Sequence, residues 1–172
     1  YKVEGTGLSS PSYIFGTHHL APLSVIETFG AAEPFSQAKQ VVGEIDMTQD
    51  QMTLTMAMQP HMLAPSDSTL SKVIPAEDFE LVNEEFKKWS PLPGAGLQMF
   101  ETMKPMVVTA IVSLGMSAEA MQGFDPTQQL DTYFQTQGKA EGKSIVPLET
   151  VEEQATILYD TTPISYQAES LV

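Results

Sequence analysis

Apolar residues recur along this chain mainly at the spacing of an α-helix. The clearest pattern follows Pro75, where Phe79, Val82, Phe86 and Trp89 are three or four positions apart and therefore share one helical face. Acidic residues fall in the first turn of this segment and lysines in its last turn, as the helix dipole favours. Similar patterns predict further helices over 24–39, 47–59, 97–114, 125–137, 150–159 and 164–171.

Proline and glycine mark where these helices are expected to begin, bend or end. Pro60 predicts the end of one helix or a kink in it, and Pro105 predicts a kink in the next. The Asp125-Pro126 pair is typical of a helix start, and Gly138 is typical of a helix end.

Extended patterns are short by comparison. They predict strands over 1–4, 12–16, 41–46 and 144–148. Few short strands separated by long helical stretches indicate a mixed α/β or α+β fold in which helices are the majority. With 172 residues, the chain is expected to form a single domain over 1–172.

The charge of the chain limits its partners. Eight lysines, no arginine and 22 acidic residues give a net charge of −14. Phosphate contacts dominate nucleic-acid binding, so nucleic acid is excluded as a partner, and anionic membrane surfaces are disfavoured. No apolar run reaches the roughly 18–20 residues of a membrane span. The absence of cysteine excludes disulfides, cysteine zinc sites and thiol catalysis.

Imidazole and carboxylate groups occur at the C-terminal ends of three predicted strands. His18 and His19 follow the second strand, Glu44 and Asp46 close the third, and Glu149 follows the last. Sites gather outside the carboxyl ends of strands, so these groups meet in one cleft if the three strands are neighbours. Histidine with carboxylates is a suitable ligand set for Zn²⁺, Mn²⁺ or Co²⁺, and a further carboxylate can activate a metal-bound water.

Each of these features also has a purely structural interpretation. The two histidines can cap backbone groups of a turn, the acidic pair can be a solvated strand end, and Glu149 can be an exposed residue before a helix. We expect a loop position for His61 and a helix-capping role for Glu153. The ten methionines are typical of core filling, although they can also line an adaptable groove for peptides.

Four segments, taken together, resemble a known family. They are 13–22, 42–46, 131–134 with the following Gly142-Lys143, and 145–154. In this order and spacing they are similar to the TraB/GumN family, whose relatives include the Tiki metalloproteases and the pheromone-shutdown protein PrgY. The resemblance runs through essentially the whole chain, and its first and last segments are the specific ones.

The resemblance implies a fold similar to ChaN and erythromycin esterase, which is a mixed sheet flanked by helices. It also implies a metal-dependent hydrolase, specifically a peptidase acting on peptide or protein substrates. The Gly-x-x-His motif of the family maps onto Gly16 and His19, its acidic strand end onto Glu44, and its Leu-Glu-Thr segment onto Glu149. His19, Glu44 and Glu149 are therefore the expected catalytic and metal-ligating residues, with Mn²⁺, Co²⁺ or Zn²⁺ as the cofactor.

The chain also departs from the family pattern. Members usually continue with a second half that carries Arg and Asn positions and a second Gly-x-x-His, and this sequence ends at Val172 without them. We therefore expect the C-terminal part of the domain to be missing and, because this would expose apolar surface, a homodimer. The start at Tyr1, the lack of cysteine and the frequent export of the family predict a periplasmic or cell-surface location after removal of a signal.

Two other functions remain open at this point. The first is a non-catalytic exported protein that binds a peptide or signalling molecule in a methionine-rich helical cleft. The second is a structural or interaction module in which the motif residues serve folding. Loss of tight metal binding in His19→Ala distinguishes the hydrolase from both.

Overall fold

The computed structural model of the chain describes residues 1–121, 125 and 127–172. Helices are in the majority in these residues and strands are short, which confirms the mixed α+β class. The chain divides into two compact units, each built from two segments. Unit 1 comprises Tyr1–Gln49 and Met121–Leu148, and unit 2 comprises Asp50–Ala120 and Glu149–Val172.

The elements are named in chain order. The strands are β1 (Lys2–Val3), β2 (Ser12–Tyr13), β3 (Gln40–Gly43) and β4 (Ser144–Pro147). The α-helices are α1 (Val25–Thr28), α2 (Ala32–Gln37), α3 (Gln51–Met62), α4 (Leu70–Val73), α5 (Ala76–Trp89), α6 (Pro105–Ala120), α7 (Leu130–Ala140), α8 (Val151–Tyr159) and α9 (Ile164–Leu171). A single 3₁₀ turn in the described residues lies at Leu97–Phe100.

The strands of unit 1 form two separate two-stranded sheets. β1 and β2 are antiparallel, with Lys2 opposite Tyr13, whereas β3 and β4 are parallel, with Gln40 opposite Ser144. The groups at the three strand ends were expected to meet in one cleft only if their strands are neighbours, and in the described residues β3 and β4 are neighbours whereas β2 pairs with β1. All four strands are also shorter than predicted, because pairing with only one neighbour leaves the ends of each run without a partner.

The helices of unit 1 differ from the prediction at two glycines. The predicted helix over 24–39 is divided into α1 and α2, because Gly30 adopts a left-handed backbone (φ +63°) that ends a helix. α7 starts later than predicted, at Leu130, and Pro126 lies outside the described residues. It also continues through Gly138, where an added Cβ would lie 2.7 Å from Cγ2 of Val41. Gly138 is therefore a close contact with β3 and not a helix end.

Aromatic packing holds α7 against the rest of unit 1. The ring of Phe134 on α7 contacts Phe15, Phe35 and Tyr133, with centroids 5.2–5.6 Å apart. Leu130, on the same helix, is buried with Ile26 and Ala31. Edge-to-face ring pairs of this kind stabilise a core beyond the area that they bury. They fix the position of α7, which carries residues of the candidate site.

In the described residues, unit 2 is helical and contains two apolar clusters. The larger one contains three of the four residues of the helical face predicted after Pro75, namely Phe79, Val82 and Phe86. Its buried members are Leu70, Ile74, Val82, Phe86, Ala95, Leu97 and Val108. The smaller one contains Val107, Ala155 and Tyr159, against which four methionines pack: Met58, Met62, Met103 and Met106. Core filling is therefore the role of these four methionines.

Two prolines of unit 2 can be compared with the sequence prediction. α3 continues past Pro60 to Met62, so Pro60 does not end the helix, and a kink there stays a prediction. The expected long helix with a kink at Pro105 is instead a 3₁₀ turn followed by α6, which begins at Pro105. Proline is favoured at the first position of a helix because its missing N–H would have no partner there.

Two other predictions hold in the described residues. The Thr150 hydroxyl accepts a hydrogen bond from the Glu153 N–H (3.1 Å), and the Glu153 carboxylate accepts one from the Thr150 N–H (2.8 Å). This is the capping box expected at the start of α8. As expected from the sequence, none of the helices described has both the length and the apolar character needed to cross a bilayer.

Candidate functional site

A cavity of about 640 Å³ opens in unit 1. Its wall includes residues of β1, β2 and β3 and of helices α2 and α7. The apolar part of the wall contains four large side chains that are more than half exposed: Ile14, Phe29, Val42 and Leu148. The polar part contains Thr17, Glu44, Asp131 and Gln135. A cavity that combines an apolar wall with polar groups is a common form of ligand site.

His19 is joined to this cavity through Asp131. The Nδ1 atom of His19 lies 3.5 Å from Oδ2 of Asp131, and the two side chains are 71% and 31% exposed. The other oxygen of Asp131 accepts a hydrogen bond from the Thr17 hydroxyl at 2.8 Å. Oδ2 is shielded from solvent and has no hydrogen-bond partner among the described residues. Thr17 therefore fixes the carboxylate while leaving one oxygen directed at the imidazole.

The neighbouring histidine has a different role. Nδ1 of His18 accepts a hydrogen bond from the backbone N–H of Leu20 at 3.2 Å, which closes the turn after Thr17. The capping interpretation is therefore correct for His18. His19 is left as the imidazole that points toward a carboxylate, which agrees with its position in the Gly-x-x-His motif.

Glu44 lies directly after β3 in the wall of the cavity and is exposed. Its carbonyl and that of Gly43 both accept from the Leu148 N–H, at 3.1 and 2.9 Å, so the end of β4 fixes this segment. Buried Gln135 on α7 fixes the residues that follow: it donates to the Ile45 carbonyl (3.0 Å) and accepts from the Met47 N–H (2.9 Å). The backbone that presents Glu44 is therefore held from two sides.

Gly43 makes this arrangement possible. A Cβ at this position would collide with Nε2 of Gln135. Because the Gln135 side chain satisfies two backbone groups beside Glu44, any residue larger than glycine would displace it.

Asp46 is not positioned as predicted. β3 ends at Gly43, so Asp46 lies in the turn beyond the strand. Its Oδ1 atom accepts from the N–H and from the hydroxyl of Thr48, at 2.9 and 2.6 Å. The side chain closes a local turn, as aspartate commonly does.

Glu149 belongs to unit 2, whereas His19 and Glu44 belong to unit 1. It is partly exposed, and its Oε1 atom accepts from Nε2 of Gln154 at 3.2 Å. The residue stands immediately before Thr150, the N-cap of α8. Its predicted role in catalysis or metal binding stays a prediction.

Sequence reasoning did not identify Thr17 and Asp131 as site residues. They lie 114 positions apart and only the fold brings them together. A signal was nevertheless present, since Thr17 lies inside the Gly-x-x-His motif and Asp131 opens the third segment that resembles the family.

The side chains around His19 are of the right chemical type to bind a divalent metal ion, but they are too few to form a complete ligand set. Imidazole nitrogen and carboxylate oxygen are suitable ligands for Zn²⁺, Mn²⁺ and Co²⁺. Catalytic zinc sites use three protein ligands, however, and no group of three or more histidine, aspartate and glutamate side chains forms within 1–121, 125 and 127–172. His19 and Asp131 are thus a partial ligand set, and the expected ligation by Glu44 and Glu149 stays a prediction.

A second histidine–aspartate pair lies in unit 2. His61 is in α3, so the expected loop position is wrong, and its Nδ1 atom lies 2.6 Å from Oδ2 of Asp160. The side chains of His61 and Asp160 are 23% and 35% exposed. Lys104, which is 10% exposed, donates to Oδ1 of Asp160 and, at 3.3 Å, to the Tyr159 carbonyl. The hydrogen bond from Lys104 lowers the pKa of Asp160, and the hydrogen bond with His61 lowers it further.

Comparison with known proteins gives one finding. The model of the TraB/PrgY/gumN family matches residues 1–172. Neither the curated proteins nor the solved structures contain a match to the chain. Since the family model covers the whole chain, including the Gly-x-x-His segment and the segment of Asp131, the chain belongs to the TraB/PrgY/gumN family.

Proposed function

We propose that this protein is a metal-dependent hydrolase that cleaves peptide bonds, with its reaction centre at the unit-1 cavity. One observation carries the proposal: the exposed imidazole of His19 faces a carboxylate that Thr17 holds in place, and that carboxylate is part of the cavity wall. Polar groups oriented in this way beside a cavity with partly apolar walls are typical of a reaction site.

Three residues have assigned roles in this proposal. His19 and Asp131 hold the ion, and the hydrogen bond from Thr17 keeps the carboxylate in a fixed orientation, as outer partners of metal ligands do. A divalent ion at such a pair supplies Lewis-acid activation of a carbonyl or of water. Glu44, the other acidic residue in the wall, is the candidate general base. Two protein ligands alone would bind an ion weakly, so water would complete its coordination.

The alternative of a methionine-rich binding cleft has less support. Four methionines fill the core of unit 2. Among the described residues, no methionine lines the unit-1 cavity or a cavity of about 580 Å³ in unit 2, which is lined by Val73, Pro75 and Ile164 among others. Peptide binding without cleavage therefore has better support at the unit-1 cavity than at the methionine-rich helices.

The decisive experiment counts bound metal. The purified protein is incubated separately with Mn²⁺, Co²⁺ and Zn²⁺, desalted and analysed for metal per chain. We expect His19→Ala and Asp131→Asn each to weaken binding at least tenfold, in the range that loss of supporting groups causes at metal sites (~10–100-fold). His18→Asn is the matched control, because asparagine can still accept from the Leu20 N–H.

Cleavage is then measured with a pool of internally quenched fluorescent peptides in the metal that binds best. Cleavage that depends on metal and falls at least tenfold in His19→Ala and Glu44→Gln supports the proposal. Equal metal binding in wild type, His19→Ala and His18→Asn, or no cleavage by a metal-loaded protein, overturns it.

A further inference from the structure

In the described part of unit 1, each of the four strands has one edge without a neighbouring strand, and the edges of β2 and β3 are the two that concern the cavity. Each sheet in the described part of the chain has two strands, so every strand is paired on one side only. Residues of β2 and β3 line the same cavity, although the two strands belong to different sheets. The backbone groups on these edges decide what the cavity can bind.

The unpaired edge of β3 carries Gln40 and Val42. The carbonyls of Lys39 and Gly43 accept hydrogen bonds from Ser144 and Leu148, so these two residues face β4. In a parallel pair, alternate residues of a strand bond to the partner and the residues between them face the other way. The N–H and C=O groups of Gln40 and Val42 therefore point away from β4, and both residues line the cavity.

The unpaired edge of β2 carries Tyr13. Tyr1 and Ile14 exchange two backbone hydrogen bonds, of 2.6 and 2.8 Å, so Ile14 faces β1. Tyr13, opposite Lys2, is then in a pair without such bonds, and its backbone groups point away from β1. Tyr13 also lines the cavity.

The side chains around these edges define the ligand further. Ile14, Phe29, Val42 and Leu148 offer exposed apolar contacts on the wall. Its charged members are Lys2, Glu44 and Asp131, and Lys2 is already paired with Glu4 at 2.6 Å. The chain as a whole carries −14. The cavity therefore favours a ligand with apolar side chains and positive charge.

We propose that the unit-1 cavity binds an extended peptide as an added strand between β2 and β3, and that the peptide combines large apolar side chains with lysine or arginine. Main-chain hydrogen bonds to Gln40 and Val42 on one side and to Tyr13 on the other give affinity, and the apolar wall gives selectivity. The inference rests on the proposed function only in that the bound peptide is the substrate of the same site.

The test measures binding of an intact peptide in EDTA. The probe is a capped heptapeptide, Lys-Phe-Thr-Val-Thr-Leu-Lys, with versions N-methylated at its two inner threonines or, as a control, at the first lysine. Val42→Pro removes one N–H from the unpaired edge, a position where proline is tolerated in a strand. Val42→Thr keeps this N–H and is the matched control. Binding is measured by titration calorimetry, and circular dichroism checks the folding of each variant.

We expect Val42→Pro and inner N-methylation each to weaken binding at least tenfold, and Val42→Thr and N-methylation of the first lysine to weaken it less than threefold. If Val42→Pro does not fold, the N-methylated peptides on the wild-type protein decide. Absence of binding, or binding insensitive to inner N-methylation, overturns the inference. A change in the oligomeric state of the peptide-free protein on Val42→Pro also overturns it, because a second copy would then cover the edge.

These outcomes separate the inference from the proposed function. Strand-edge binding in EDTA without cleavage in metal leaves the inference standing and removes the hydrolase. Metal-dependent cleavage that does not change in Val42→Pro leaves the hydrolase standing and removes the inference.

Discussion

Two histidines of this chain each lie against an aspartate, one pair in each unit. In unit 2 both oxygens of Asp160 are engaged, one by His61 and the other by the nearly buried Lys104. In unit 1 one oxygen of Asp131 is engaged by Thr17, and the other faces His19 at a longer distance without a hydrogen bond from any described residue. In the described residues, both carboxylate oxygens of the aspartate are therefore hydrogen-bonded in the unit-2 pair, whereas only one is hydrogen-bonded in the unit-1 pair.

The difference indicates which pair serves the fold and which is available to a ligand. A buried cation such as Lys104 is costly without a counter-charge, so Asp160 is needed for stability. In the part of the chain that the structure describes, Asp131 is not paired with a lysine, and its partner His19 is mostly exposed. A carboxylate whose hydrogen bonds are incomplete in the described residues keeps capacity for an ion or a substrate group.

Of the changes to the two histidine–aspartate pairs, we expect the largest effect on the free energy of unfolding from a substitution in unit 2. Asp160→Ala leaves Lys104 without its counter-charge and should lower the free energy of unfolding by about 2–4 kcal/mol, somewhat below the value for a fully buried pair because Asp160 is partly exposed. Asp131→Ala should cost less than about 1 kcal/mol, as for other exposed pairs. Urea unfolding measures both, and equal losses would show that the two pairs do not differ.

A smaller effect is expected in acid. Because the pKa of Asp160 is lowered in the folded state, its carboxylate adds stability above the ordinary aspartate pKa of about 3.9. That stability is lost as the pH falls below this value and through the lower folded pKa. Urea unfolding between pH 7 and pH 3 should therefore show a steeper acid loss for wild type than for Asp160→Asn. If the free energy of unfolding fell with pH equally in both proteins, protonation of Asp160 would not contribute to the loss of stability in acid.

A third substitution tests the hydrogen bond from Thr17 to Asp131, which holds the carboxylate of the unit-1 pair. Thr17→Val removes the hydroxyl that fixes Asp131 and should lower the free energy of unfolding by only about 0.5–1 kcal/mol. If the proposed function is correct, the same change weakens metal binding severalfold. Metal analysis beside urea unfolding measures the two effects, and a large stability loss with unchanged metal binding would assign Thr17 to the fold alone.

The smallest effect on stability is expected at His19. This side chain is mostly exposed, so His19→Ala should change the free energy of unfolding by no more than about 0.5 kcal/mol. Thermal unfolding with His18→Asn as the control measures it. A clear fall in the melting temperature would support the interpretation of the motif as a structural module.

Much of the fold could be predicted because helical spacing is a local signal. The helix after Pro75 and the capping box at Thr150 were both recognisable from a few neighbouring residues. Gly138 was not, because its role is a contact with Val41 on a distant strand. The division of the strands into two sheets could not be predicted either, because the alternation of residues within a strand does not indicate which strands pair.

The candidate site was predictable to a similar extent. His19 and Glu44 could be selected from short motifs, and both lie in unit 1. Asp131 could not, because its contacts with Thr17 and His19 exist only after distant segments have met. The turn that His18 caps likewise depends on geometry that two adjacent histidines do not reveal.

The pairing of β3 with β4 has a consequence for the order of folding. Gln40 meets a partner, Ser144, more than a hundred positions later, and most of unit 2 lies between them in the chain. Closing so long a loop costs conformational entropy before any strand contact offsets it, whereas α3 to α6 depend on nearer neighbours. We expect the helices of unit 2 to form first and to shorten the path between the strands. The unit-1 cavity would then be among the last features of the molecule to acquire its shape.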